Sequence, residues 1–133
     1  MTHEIVNPTE LAKPVGFAHA VIAAPGRTIY LGGQTAQNPR GDIVGTTIEE
    51  QFNMAARNVI TALTAAGGRP EHLVSLMIYT TDVPAYRAAL GGLASIYRQY
   101  FGQHYPAIAL LGVAELFDPD ALLELVGTAV VPA

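Results

Sequence analysis

The chain is expected to take an α+β fold, a mixed β-sheet with two helices packed on one face. Two segments, at about 48–66 and 82–101, carry apolar residues at helical spacing. Short β-branched or apolar runs lie before, between and after them, giving the order β-β-β-α-β-α-β-β. Each helix shows one apolar stripe, and a single sheet face satisfies both. With 133 residues, half of them apolar, the chain is long enough for one domain over 1–133 and too short for two.

A short strand is expected near Glu4–Val6. Ala20–Ala24 and Thr28–Leu31 are separated by Pro25-Gly26, which predicts a hairpin with Gly26 at positive φ, and Gly32-Gly33 ends its second strand. Thr35–Gly45 is rich in Gln, Asn, Pro, Gly and Asp and marks an exposed loop. Thr47 and Glu50 have capping-box spacing, and Ile48, Phe52, Ala56, Val59 and Leu63 form the stripe of a helix over Ile48–Ala66 that Gly67-Gly68 closes. Leu73–Thr81 is a largely buried strand. Asp82 caps a second helix with Pro84 in its first turn; Tyr86, Leu90, Leu93, Tyr97 and Tyr100 or Phe101 face inward, and Gly102 stops it. Strands at Ala107–Val113 and Leu122–Val130 are joined by the turn-rich Phe117-Asp118-Pro119-Asp120. The second face of this sheet is also apolar and needs a cover, which predicts a partner subunit.

Only 14% of residues are charged, well below the usual quarter, so part of the surface is expected to be covered in a homo-oligomer. A net charge of -4 without a Lys/Arg cluster argues against nucleic acid as a partner, since phosphates need a basic footprint. Without cysteine there is no disulfide, thiolate or Cys-based zinc chemistry, and His3, His72 and His104 lack ligand spacing, so no metal site is expected. No basic segment followed by an apolar stretch opens the chain, and no run reaches membrane-spanning length. The expectation is a soluble cytoplasmic protein without membrane partners. Gly32-Gly33 and Gly67-Gly68 match no phosphate loop, and no Ser sits in a nucleophile elbow.

Gly16-Phe17-Ala18-His19-Ala20-Val21, Gly32-Gly33-Gln34, the Gln51…Asn58…Ala65-Ala66-Gly67 helix, Tyr97…Tyr100-Phe101 and Pro106-Ala107-Ile108 follow one another in an order that resembles the RidA family, also called YjgF or L-PSP endoribonuclease. The resemblance spans nearly the whole chain. It implies a chorismate-mutase-like fold, a homotrimer whose sheets pack around a central barrel, and ligand clefts between subunits. Archetypal members hydrolyse 2-imino or enamino acids to 2-keto acids and ammonia without a cofactor. It also implies departures: Ile108 stands for the Arg that grips a carboxylate, Leu110 for a Cys, Phe17 for a Tyr, Ala94 for an Asn and Val126 for a Glu that orients water. An unpaired buried carboxylate costs about 3–5 kcal/mol, so an amino-acid-derived imine is disfavoured as ligand. A cleft lined by Phe17, Ile108, Leu110 and Val126 suits a small, mainly apolar molecule instead.

His19 and Glu124 are the candidate catalytic groups. A cleft-facing histidine serves as acid or base near neutral pH, although a hydrogen bond to a loop carbonyl explains it equally simply. Glu124 lies among Leu122, Leu123 and Leu125, and alternation puts it on a face with Val126 and Thr128; burial without a cation would raise its pKa, while an inter-subunit ion pair is the plainer alternative. The resemblance implies that Gly33 offers an amide for a carbonyl or oxyanion, with tight packing at the strand end as its plainer and compatible role. Tyr97 adds a hydroxyl, with core packing as its competing role. The expected enzyme is a cofactor-free hydrolase or deaminase-like protein acting on an enamine, imine or carbamate-like metabolite; its rival is a non-catalytic ligand-binding trimer.

Overall fold

The computed structural model describes residues 2–133. Strands β1 (Glu4–Val6), β2 (Ala20–Ile22) and β3 (Gly26–Tyr30) precede helix α1 (Ile48–Ala65). A 3-10 turn at Pro70–His72 leads into β4 (Leu73–Thr80), followed by α2 (Val83–Ala88), α3 (Leu90–Phe101), β5 (Ala107–Gly112) and β6 (Leu123–Pro132). Four strands form one sheet in the order β3-β6-β4-β5, with β4 and β5 parallel and the other pairs antiparallel; β1 and β2 form a separate two-stranded sheet.

The first helix starts where its capping box predicts. The Thr47 hydroxyl accepts the Glu50 amide at 3.1 Å, and a Glu50 carboxylate oxygen accepts the Thr47 amide at 3.1 Å, which satisfies two donors of the first turn. Phe52, Ala56, Val59 and Leu63 then enter one core with Leu73, Leu76, Ile78, Leu123, Leu125 and Ala129 from the sheet and Leu93 and Phe101 from α3. Phe52 and Leu63 are fully buried, so truncating Phe52 to Ala would cost about 3–5 kcal/mol.

Two local expectations give way to the register. No hairpin joins β2 to β3: β2 pairs with β1, and β3 with β6. Gly26 is not at positive φ, and its requirement is a different one. It sits opposite Pro132, and a Cβ there would run into the Val131 carbonyl oxygen. The second helix is two helices, so the described residues hold three α-helices. It breaks at Ala89, whose amide donates to both Ala85 and Tyr86 carbonyls, immediately before Gly91-Gly92, where helix propensity is lowest. The break turns Leu90 outward, 54% exposed, instead of into the core.

Alternation along β6 divides the sheet. Leu123, Leu125, Gly127 and Ala129 face the helices, while Glu124, Val126 and Thr128 face the other way. That second face also carries Met77 and Tyr79 of β4, the cross-strand partners of Val126 and Glu124, and no helix covers it.

At the start of β4, His72 is buried and its Nδ1 accepts the Arg69 amide at 2.9 Å. Burial, above all, holds its imidazole below the ordinary 6.5; Arg69, His3 and His104 push the same way and Glu71 opposes them. The unfolded chain therefore takes up this proton first as pH falls, so the stability contribution is complete above pH about 6.5 and is lost below it, down to the lower folded value. Urea midpoints measured between pH 8 and 5 should fall over that window, and His72→Gln should flatten the fall.

Candidate functional site

Gly33 follows the end of β3, and Glu124 is the second residue of β6. A two-way bridge holds them together: the Gln34 amide donates to the Leu125 carbonyl at 2.8 Å, and the Leu125 amide donates back to Gln34 at 2.9 Å. The Glu124 carboxylate lies over Gly33 so closely that a Cβ on Gly33 would collide with its Oε2. A side chain at 33 would have to displace the carboxylate from the space it occupies.

Glu124 is half-buried, and among the described residues no Lys or Arg pairs with it and no donor meets its oxygens. The Gly33 amide is exposed and likewise makes no hydrogen bond among them. An acceptor and a donor, both unspent, therefore stand side by side on the open sheet face beside Tyr79, Val126 and Met77. Such a pair can take a proton from water and donate to an atom that gains electron density.

The other expected residues are distributed differently. Phe17 lines a cleft of about 370 Å³ with Asn7, Gly16, Gln103, His104 and Tyr105. His19 stands beside Phe17, their rings edge to face at 5.1 Å, and its Nε2 lies 2.7 Å from the Ala12 carbonyl. A carbonyl only accepts, so Nε2 carries the proton and Nδ1 is left as a base. The His19 amide donates to Asn7 Oδ1 at 2.8 Å. The imidazole is thus oriented by a loop carbonyl, as the simpler alternative expected, and shares no contact with Glu124.

Tyr97 is a core residue. Its hydroxyl donates to the His104 carbonyl at 2.7 Å, its ring stacks on Tyr105 at 5.0 Å, and burial raises its phenol strongly. Ile108 and Leu110 pair with Leu76 and Ile78 and pack against the helix-side core, on the face opposite Glu124 and Val126. Phe17, Ile108, Leu110 and Val126 consequently do not line one pocket within a protomer. Parallel register places β5 side chains with their β4 partners, and that pairing is invisible to a pattern read along one strand. Met77 escaped notice for the same reason, although its alternation with Tyr79 within β4 was readable.

The family model described as Endoribonuclease L-PSP matches residues 8–131. The chain belongs to this family, RidA/YjgF. Family members it resembles include a RutC-family protein of Pyrococcus abyssi, 28% identical over 126 residues and 94% of both chains. The human 2-iminobutanoate/2-iminopropanoate deaminase is 32% identical over 91 residues, covering 68% of this chain and 64% of that one. Among solved family structures, the Rid protein YyfB of Yersinia pestis, a protein of unknown function, superposes with a TM-score of 0.88 at 32% identity, covering 98% of this chain and all of that one. Rv2704 of Mycobacterium tuberculosis, a YjgF/YER057c/UK114 family member, gives 0.65 at 28% identity and 88% coverage of each. The mixed sheet with helices on one face is thus the family fold. No helix among the described residues is long and apolar enough to cross a membrane.

Gly33→Ala should displace the Glu124 carboxylate while leaving stability within about 0.5 kcal/mol, because the flexible end of the side chain yields. A changed carboxyl 13C shift at an unchanged urea midpoint would show this; an unmoved carboxyl resonance would refute the contact.

Proposed function

We propose that this family member is a cofactor-free hydrolase of C–N bonds in a small, mainly apolar imine, enamine or carbamate-like metabolite. The observation that carries the proposal is the unpaired Glu124 carboxylate set against the free Gly33 amide. For an imine, Glu124 takes a proton from water as the oxygen bonds to the C=N carbon, and the Gly33 N–H donates to the electron pair that develops. That proton passes to nitrogen to give a carbinolamine; Glu124 then moves the carbinolamine hydroxyl proton to the nitrogen as the C=O bond forms and the C–N bond breaks, and a carbonyl compound and ammonia leave.

Several features support the choice of ligand. Tyr79 is the cross-strand partner of Glu124, the apolar pair Val126 and Met77 follows on the same face, and among the described residues no Lys or Arg pairs with the carboxylate to bind an acid group. Ile108, where the resemblance implies an Arg, supplies no charge either. A 2-imino acid of the kind named for the human relative is therefore a poor fit, and a neutral imine a better one. The resemblance assigned the water-orienting carboxylate to position 126, yet Glu124 is the residue that meets Gly33, so a carboxylate is retained at that amide.

The open face carrying the pair is the surface on which a homotrimer with inter-subunit clefts would close, and a neighbour is the route by which Phe17 and His19 would join Glu124. His19 ranks second to Glu124 as the base because it stands beside Phe17 and the Ala12 carbonyl, away from the Gly33 amide. A non-catalytic ligand-binding trimer is the alternative, favoured by the apolar replacements at 17, 108, 110 and 126.

The test is ammonia release from neutral imines and from 2-imino acids, each formed in place by an amine or amino-acid oxidase. Wild-type protein should accelerate hydrolysis of the neutral imines, and Glu124→Gln should lower the rate about 10²–10⁴-fold. Acceleration that survives Glu124→Gln would remove Glu124 from the mechanism, and none with any imine or carbamate would leave the binding alternative. Sedimentation of a stable monomer at micromolar concentration would exclude the inter-subunit cleft.

A further inference from the structure

Two amide side chains on α1 hold the chain on both sides of the Gly33–Glu124 pair. The Gln51 side chain is 1% exposed and fully used: Nε2 donates to the Gly45 carbonyl at 3.1 Å and the Asp120 carbonyl at 3.0 Å, and Oε1 accepts the Leu122 amide at 2.8 Å. Asn58 Nδ2 donates to the carbonyls of Thr35 at 3.0 Å and Gln37 at 2.8 Å. Gln51 thus ties down the chain two residues before Glu124, and Asn58 ties it down two residues after Gly33. The Gln34–Leu125 bridge joins the two tethered segments between these points.

The spacing is that of a ruler. Positions 51 and 58 are about two helical turns apart and share a face of α1, so the distance between the tethers is set by a rigid helix and not by either loop. An amide suits the task because it donates and accepts without charge. A carboxylate at either position would face carbonyl oxygens with no proton to offer.

We propose that Gln51 and Asn58 are positioning residues that fix the separation of the Glu124 carboxylate and the Gly33 amide. The functional importance of that separation rests on the hydrolase proposal, but the clamp itself does not. Neither side chain reaches the pair; both act through the Gln34–Leu125 bridge.

Amide hydrogen exchange of Gln34 and Leu125 reads the clamp directly. It should be measured in the full-length wild type and in Asn58→Ala, Asn58→Asp and Gln51→Met. The control is Tyr100→Phe, which removes the 2.9 Å bond from Tyr100 to Asn53 Oδ1 on the same helix, outside the tethered segments. After correction for global stability from urea unfolding, exchange at Gln34 and Leu125 should rise about tenfold in the clamp variants and stay unchanged in Tyr100→Phe. Asn58→Asp, nearly the same shape without the donor, should behave as Asn58→Ala. If exchange at these two amides merely follows global stability in every variant, as in the control, the clamp is overturned. Should Gln51→Met fail to fold, the half-buried Asn58 pair of variants decides alone. The accompanying imine assay separates the two ideas: selective exchange with a lower kcat and unchanged KM supports both, whereas selective exchange in a protein whose activity is indifferent to Glu124→Gln supports the clamp and removes the catalytic role.

Discussion

The register of β6 against β4 is the constraint on which the rest of this structure depends. β6 is paired on both edges, to β3 and to β4, and its residues alternate between a helix-covered core and an open face. A slip of one residue would turn Glu124 into the space now filled by Leu123 and Leu125, both fully buried, and expose two leucines in return. Such a slip exchanges roughly 2 kcal/mol per leucine of apolar burial for a desolvated carboxylate, so the hydrophobic pattern of one strand decides which face carries the carboxylate. The bulge between Leu73 and Ser75 absorbs the one irregularity at the far end of the ladder, away from Glu124.

The pairing also makes the site economical. Gly33 belongs to an irregular segment with no ladder of its own, yet the Gln34–Leu125 bridge extends the sheet by one step and brings an exposed amide to a half-buried carboxylate. Sheet geometry, rather than a dedicated loop, supplies the alignment that preorganised donors require. On the opposite side, Ile108 and Leu110 are committed to the core through Leu76 and Ile78. An apolar residue at 108 is therefore both the absence of a cation and a contribution to packing, and these two effects have separate consequences.

How much of this was legible in the sequence depends on whether the signal was local. α1 was legible to within a residue at each end because the capping box, the apolar stripe and the glycines after it all lie within the segment itself. β1 and β4 were legible from their β-branched and apolar content. The β2–β3 hairpin misled because Pro25-Gly26 is a turn signal whose flanking strands pair elsewhere; the glycine answers to the Val131 carbonyl across the sheet. The break at Ala89 was announced by Gly91-Gly92, but two glycines state a weakness and not the direction in which the chain turns. At the site, Glu124 and its face were readable from alternation, whereas its partner Gly33 came from resemblance and their contact from register alone. Tyr97 shows the converse, since a ligand-facing hydroxyl and core packing both fit the sequence until the His104 carbonyl is seen to use the hydroxyl.

The open face raises a question of balance between solubility and function. Met77, Tyr79, Val126 and the 82% exposed Tyr30 lie on a sheet surface that no helix of the protomer covers. The helices cannot serve, because their apolar stripes are already used in the core. Leaving such a face in water costs favourable burial and invites non-specific association, and the low proportion of charged residues provides little to counter it. A half-buried carboxylate placed at one end of that face is what a purely adhesive surface would avoid, since burying it against another apolar face without a donor carries a desolvation penalty of several kcal/mol. The two facts are reconciled if association covers the apolar residues around Glu124 but leaves a water-filled space over the carboxylate itself. In that arrangement, the interface and the reaction site are parts of one surface, and the residue that makes the surface unsuitable for simple burial is the one that gives it chemistry.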